Sequence, residues 1–216
     1  PHHPPHPLSL KYKHHFPSHT TWIPIFDDIT HLLTHSRAFT PHQLHLALTR
    51  GSWLEPILYR LLAARPLRHG TAPDRVIEEV CRLGTLLFLA PCWRALGQNP
   101  VRTGAISRGL LGVLKGYEVV WPGELRELLV WVLYCAAIET GDVGERREFV
   151  GMLGVVVREL GIGEWEEVLE VVKGVLWVEE VCGSRDEGVE EAVMEIVGRV
   201  EGEIGETLFG DSAWGI

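Results

Sequence analysis

Two histidine pairs carry a spacing that metal chemistry uses. His31 and His35 are four residues apart and His42 and His45 three apart, so each pair shares one helix face. Two such pairs can clamp one metal ion between the helices of a bundle. A ligating imidazole also needs an oriented acceptor on its second ring nitrogen, which spacing does not reveal. Exposed or capping histidines are the expected state, and no metal residues are assigned. Two carboxylate pairs, Glu78–Glu79 and Glu166–Glu167, have the composition of an acid/base pair but the wrong geometry. Neighbours on a helix point about 100° apart and do not flank one bond. They are expected to face solvent or to pair locally with Arg75 or Arg82. Cys81, Cys92, Cys135 and Cys182 form no CxxC or Cys/His ligand pattern, so a zinc site of the usual spacing is absent from the sequence. Each lies among apolar neighbours and is expected to be a small free core residue, which suits a reducing intracellular compartment. The chain contains no P-loop, no GxSxG elbow, no HExxH and no dinucleotide fingerprint. No catalytic or cofactor-binding residue is assigned, no cofactor is expected, and the chain is not read as an enzyme.

The elements that must position these residues are helices. Residues 1–22, "PHHPPHPLSLKYKHHFPSHTTW", hold five prolines and six histidines without periodicity. They are expected to form a disordered leader, with no rigid element to fix metal geometry. No secretory leader is visible there. From there the punctuation is helical. Asp27 or Asp28 can cap a first helix. Thr40, Pro41 and Gln43 open a second, which Gly51 and Pro56 are expected to bend or divide. Thr71 and Asp74 start a third, apolar nearly all round through Leu89, as befits a helix in the middle of a domain. A fourth, after residue 99, is loosened by Gly104, Gly109, Gly112 and Gly116, each costing about 1 kcal/mol relative to Ala.

Eleven apolar residues run from Leu128 to Ile138. A membrane span needs about 20, so this is read as a buried helix, opened by Pro122 and stopped by a left-handed Gly141. Asp142 then caps the next helix, with Glu145 three residues on expected to reciprocate. Its apolar set is Phe149, Met152, Leu153, Val156 and Leu160. A stripe from Trp165 to Leu176 and another from Val189 to Val200 complete the pattern. The expected fold is all-α: seven or eight helices in antiparallel hairpins, forming one globular helical domain over residues 23–216.

Composition limits the partners. Of 216 residues, 46% are hydrophobic and 23% charged, which is ordinary for a globular chain. Residues 1–108 hold 12 Lys+Arg against 6 Asp+Glu, while residues 109–216 hold 8 against 23. The acidic half repels phosphate, so direct nucleic-acid contact is not expected of it. Most of the eight tryptophans are expected in the core, although an indole-rich helical domain can also line a cavity or a groove for a partner helix. Trp177 falls between Lys173 and Glu180 on an otherwise polar face and is a candidate contact residue.

With these helices placed, "RVIEEVCRLGTLLFLA", "GQNPVRTG", "ELLVWVLYCAAIETGDVGERREFV" and "LGIGEWEEVLEVVKGVLWVEEVC", in that order over residues 74–182, resemble the fungal-specific transcription factor domain. That domain is the regulatory region C-terminal to zinc binuclear cluster DNA-binding modules. The resemblance implies a nuclear helical domain that relays signals through helix packing. Its implied partners are proteins of the transcription machinery or a second copy, and an apolar small molecule as effector. It brings no catalytic residues with it and implies no membrane contact. The family's six-cysteine cluster is absent from this sequence, so DNA binding is not assigned to it. The turn here reads Arg147-Glu148-Phe149 where the family carries an aromatic pair. Glu145 and Arg146 are candidate contact residues, with capping of a helix start as the plainer role. A stand-alone interaction module or degenerate paralogue without a transcription role and, in another class, a small-molecule enzyme whose site assembles from separated helices are the rival readings.

Overall fold

A computed structural model of the chain describes residues 12, 16, 22–36, 54–95, 102–177 and 188–198. Among these the protein is all-α, with eight helices and no strand. They are α1 (Trp22–Ser36), α2 (Leu54–Ala63), α3 (Pro73–Ala95), α4 (Gly104–Gly116), α5 (Arg126–Glu139), α6 (Val143–Glu159), α7 (Trp165–Val175) and α8 (189–198). No described helix is long and apolar enough to cross a membrane.

The apolar run of the sequence becomes α5, which is the axis of the fold. Leu128 through Ala137 are all buried, because α3, α6 and α7 each lie against it. A helix apolar on every side is stable in water only when surrounded in this way. The second such helix, α3, is buried from Val76 to Pro91 and packs on α4 and α5. An aromatic chain fills the space around them: Phe16 on Trp22 at 5.7 Å, Trp22 on Phe26 at 4.8 Å, and Trp131 against both Phe26 and Phe88 at 6.0 and 5.4 Å. Two buried indoles find partners, as large buried amphipathic rings usually do, whereas the buried Trp165 Nε1 has none among the described residues. Trp22 Nε1 donates to Thr85 Oγ1 at 2.9 Å, and Trp131 Nε1 to the Leu176 carbonyl at 2.9 Å. The second bond ties the end of α7 to α5.

Several expectations are revised in detail. The leader falls outside the described residues except at Tyr12, Phe16 and Trp22, which are buried. The Thr40 opening also lies outside them. Pro56 stands in the first turn of α2, where an absent N–H costs nothing, and Gly51 lies outside the described residues. Gly141 is not left-handed; α5 instead ends on an extended Thr140. The Arg146 side chain reaches back, and its Nε donates to the Ala137 carbonyl at 3.0 Å, which satisfies one of the free carbonyls at that helix end. The left-handed stop belongs to α6. There Gly161 has φ 71°, its N–H meets the Arg158 carbonyl, and the Ile162 N–H meets the Val157 carbonyl, the double closure that a glycine at this position permits.

Glu78 and Glu79 are not solvated. Both are buried on α3, and both pair as the sequence allowed, Glu78 with Arg75 at 3.1 Å and Glu79 with Arg82 at 2.5 Å.

Candidate functional site

The α5–α6 hairpin leaves a trench on its outer side. Leu129 and Leu133 of α5 form the floor, Leu114 of α4 and Trp121 of the following strap form one wall, and Met152, Val155 and Val156 of α6 form the other. Its volume is about 760 Å³, within the range of ligand pockets. Two glycines open it. Gly144 and Gly151 lie seven residues apart on α6, both lining the trench, and a Cβ at Gly151 would meet nothing within 4 Å. Any larger residue at 151 would project into free space where a guest belongs.

Charge is confined to the lip. Glu148 is held by Lys115 at 2.7 Å. Arg147 is exposed and has no carboxylate partner among the described residues. The remaining lining residues are apolar side chains and glycines, with no hydroxyl, thiol or imidazole. The trench can therefore take up apolar surface and orient it through one cation. It has no nucleophile–base pair with which to do covalent chemistry.

The three residues singled out in the sequence lie elsewhere. Glu145 is turned inward, where Ser107 Oγ and Thr140 Oγ1 both donate to its carboxylate, the latter at 3.1 Å, and Arg108 stands 3.8 Å away. Its backbone N–H donates to Asp142 Oδ1 at 2.9 Å, so Asp142 caps α6 as expected. The reciprocal half of the box does not form, because the hydroxyls of Ser107 and Thr140 take the Glu145 carboxylate instead. Arg146 closes the end of α5. Both therefore serve the joint between α4, α5 and α6, and neither lines the trench. Trp177 is half-buried on Tyr134 at 6.0 Å, with Lys173 Nζ 5.8 Å from its ring centre. It covers the core edge and lies apart from the trench lining.

The trench residues were missed because the α6 apolar set reads as a single buried stripe. Phe149 and Leu153 are fully buried, while Met152 and Val156 are only half covered. The usable signal was the width of the stripe together with the repeat of glycine at 144 and 151.

Elsewhere two buried ionisable side chains, Cys81 and Tyr12, are held toward their protonated forms. Burial pushes the Cys81 thiol well above its ordinary value, and the nearby Glu78 charge adds to the effect. A thiol so placed stays protonated and is a poor nucleophile. Burial likewise raises the Tyr12 phenol, helped by Glu127 and Cys81. Of the histidine pairs, His42 and His45 lie outside the described residues. Among the described residues no cluster of three or more His, Cys, Asp or Glu could hold a metal ion. No family model matches the chain, and no curated protein or solved structure matches it.

Proposed function

We propose that this chain is a regulatory and interaction domain of the kind found in fungal transcription factors, and that it works by holding an apolar partner in the trench between α4, α5 and α6. The observation that carries the reading is the lining of that trench: a continuous apolar surface with one guanidinium, Arg147, at its lip that has no carboxylate partner among the described residues. Such a surface recognises an amphipathic helix or an apolar small molecule. The sequence resemblance supplies the setting, which is transcription in the nucleus, with protein partners of that machinery or a second copy of the chain. Phosphate contact is left to other modules, as the acidic charge of residues 109–216 favours. Catalysis is not part of the proposal, since the trench offers binding groups alone.

The test tethers the full chain to a heterologous DNA-binding domain and reads a reporter, beside a Gly151→Trp chain whose indole would occupy the trench. The reading expects the tethered chain to change reporter output and the Gly151→Trp chain, equally abundant and equally helical, to lose that change. No change from either chain overturns the transcriptional role. The stand-alone interaction module would then be favoured.

A further inference from the structure

We propose that the trench takes an amphipathic helix of another protein, acidic along one edge, whose carboxylates meet Arg147 and Arg158 of α6. The proposal rests on the reading of the trench as a binding surface and adds the chemistry of its partner.

Extent supplies the first argument. The trench-lining stretch of α6 runs from Gly144 to Val156. At roughly 1.5 Å per residue it is about 18 Å long, which matches a partner helix of about twelve residues. The apolar surface does not stop at the lip. Val155 in the lining is exposed, and so are Val143 and Val120, the chain neighbours of the lining residues Gly144 and Trp121. Large apolar side chains left in water beside a groove mark a contact site. A small molecule seated in the trench would leave the outer valines wet, whereas a helix laid along α6 covers Val155 and extends past it. Grooves of this kind take the apolar face of a helix.

Charge supplies the second. The acid at the lip, Glu148, is already held by Lys115 at 2.7 Å. Arg147 and Arg158 are both exposed, and neither has a carboxylate partner among the described residues. They stand eleven residues apart on α6. Eleven steps of 100° bring the second arginine to within about 20° of the first and about 16 Å further along the axis. The two guanidiniums therefore share one edge of the helix, with Gly151 and Val155 of the lining between them in the chain. Two carboxylates eleven residues apart on a partner helix repeat the same separation. Repulsion from the rest of the acidic half is weak here, because α6 itself is balanced: Arg146, Arg147 and Arg158 offset Glu145, Glu148 and Glu159.

The test selects, with the full chain as bait, from a displayed library of helical peptides about fifteen residues long. Leucine is fixed along one face of each peptide, and the remaining positions vary among Asp, Asn, Lys and Ala. The proposal expects Asp to be enriched at two positions eleven apart, and Lys to replace it when the bait carries Arg147→Glu and Arg158→Glu. In a selected peptide each Asp→Asn change should weaken binding about threefold, as for an exposed ion pair. Gly151→Trp should abolish the selection. Val155→Asp, an exposed change that puts charge into the lining without crowding it, should do the same, with circular dichroism showing every bait as helical as the parent. Selected peptides whose charges ignore the double reversal overturn the acidic partner. An apolar fluorescent dye, bis-ANS, separates the remaining outcomes. Dye bound by the parent and lost in Gly151→Trp, with no peptide selected, overturns the helix and leaves the trench to an apolar small molecule. Dye and peptides both indifferent to Gly151→Trp and Val155→Asp defeat the underlying reading as well.

Discussion

Arg82 holds Glu79 with two hydrogen bonds, at 2.8 and 2.5 Å, while its other terminal nitrogen donates to the Leu61 carbonyl at 3.0 Å. Leu61 lies in the last turn of α2, so a guanidinium on α3 closes the C-terminal end of a neighbouring helix. One residue before this pair, Glu78 accepts the Trp22 backbone N–H at 3.2 Å, at the first residue of α1. A cation at one helix's negative end and a carboxylate at another's positive end both agree with the helix dipoles. The charged residues of α3 are thus docking points for α1 and α2.

Removing the guanidinium should therefore do more than delete one ion pair. Arg82→Met leaves Glu79 nearly buried without its partner and the Leu61 carbonyl without its donor. Truncating one side of a buried pair typically costs 3–5 kcal/mol, and about 3 kcal/mol is expected here because Glu79 retains a little access to water. Arg82→Lys keeps the charge but loses the fork and should fall between the two. Urea unfolding followed by circular dichroism measures both. A loss in Arg82→Met no larger than that of an exposed control such as Arg68→Met would refute the docking role.

Glycines give a paired prediction with opposite signs. At Gly84 a Cβ would lie 2.7 and 2.8 Å from the two γ-methyl groups of Val132, where α3 and α5 touch. Gly84→Ala should destabilise the protein by about 1–3 kcal/mol through overpacking, outweighing its gain in helix propensity. Adding Val132→Ala should recover part of that loss by making room. At Gly112 on α4 nothing lies within 4 Å, so Gly112→Ala should stabilise by about 0.5–1 kcal/mol. Thermal melts of the three variants and the parent decide it, and a stabilising Gly84→Ala would contradict the close packing of α3 on α5.

The sequence was legible where one physical signal dominated. Eleven apolar residues can only be surrounded, and α5 is surrounded. Period 3.6 outweighed the valine content of α7 and α8, and Trp165, Val168, Val172, Val189 and Val193 are all buried as that period requires. It was less legible where two groups compete for one partner. Glu145 was expected to turn back on Asp142, but Ser107 comes from 38 residues away to claim it, a contact that local spacing cannot encode. The trench was illegible for a related reason. Whether Met152 is covered depends on how closely α4 and the Trp121 strap approach α6, which is a tertiary distance, and its periodic position is the same in either case.

Glu145 tests the difference between a structural joint and a contact surface. Glu145→Ala leaves the Thr140 hydroxyl without this acceptor and the Ser107 hydroxyl with only the Gly104 carbonyl, 3.3 Å away, in a part-buried site, at a cost of about 1–3 kcal/mol. Its carboxylate lies outside the trench, so affinity for an apolar fluorescent dye such as bis-ANS, per folded molecule, should stay at the parent value. Glu145→Gln, which keeps an acceptor oxygen, should retain part of the lost stability. A Glu145→Ala chain of unchanged stability but weakened dye binding would reassign this residue to the contact surface.

The buried thiol sets the alkaline limit. Cys81 has its value raised well above the ordinary 9.0, so the folded state binds its proton more tightly than the unfolded state. Below pH 9 the two states are equally protonated at this site and its contribution is complete. As pH rises past 9 the unfolded thiol ionises first, and stability falls by up to about 1.4 kcal/mol per pH unit until the folded thiol also ionises. Tyr12, raised from 10.0, adds the same sign of loss above pH 10. Cys81→Ala removes only the first contribution. Urea midpoints under reducing conditions should therefore decline between pH 9 and 10 more steeply in the parent than in Cys81→Ala. Above pH 10 both should decline, because Tyr12 remains in each. Parallel curves across the first interval would mean that the Cys81 thiolate is tolerated in the folded core, against the dry packing of α3 on α5.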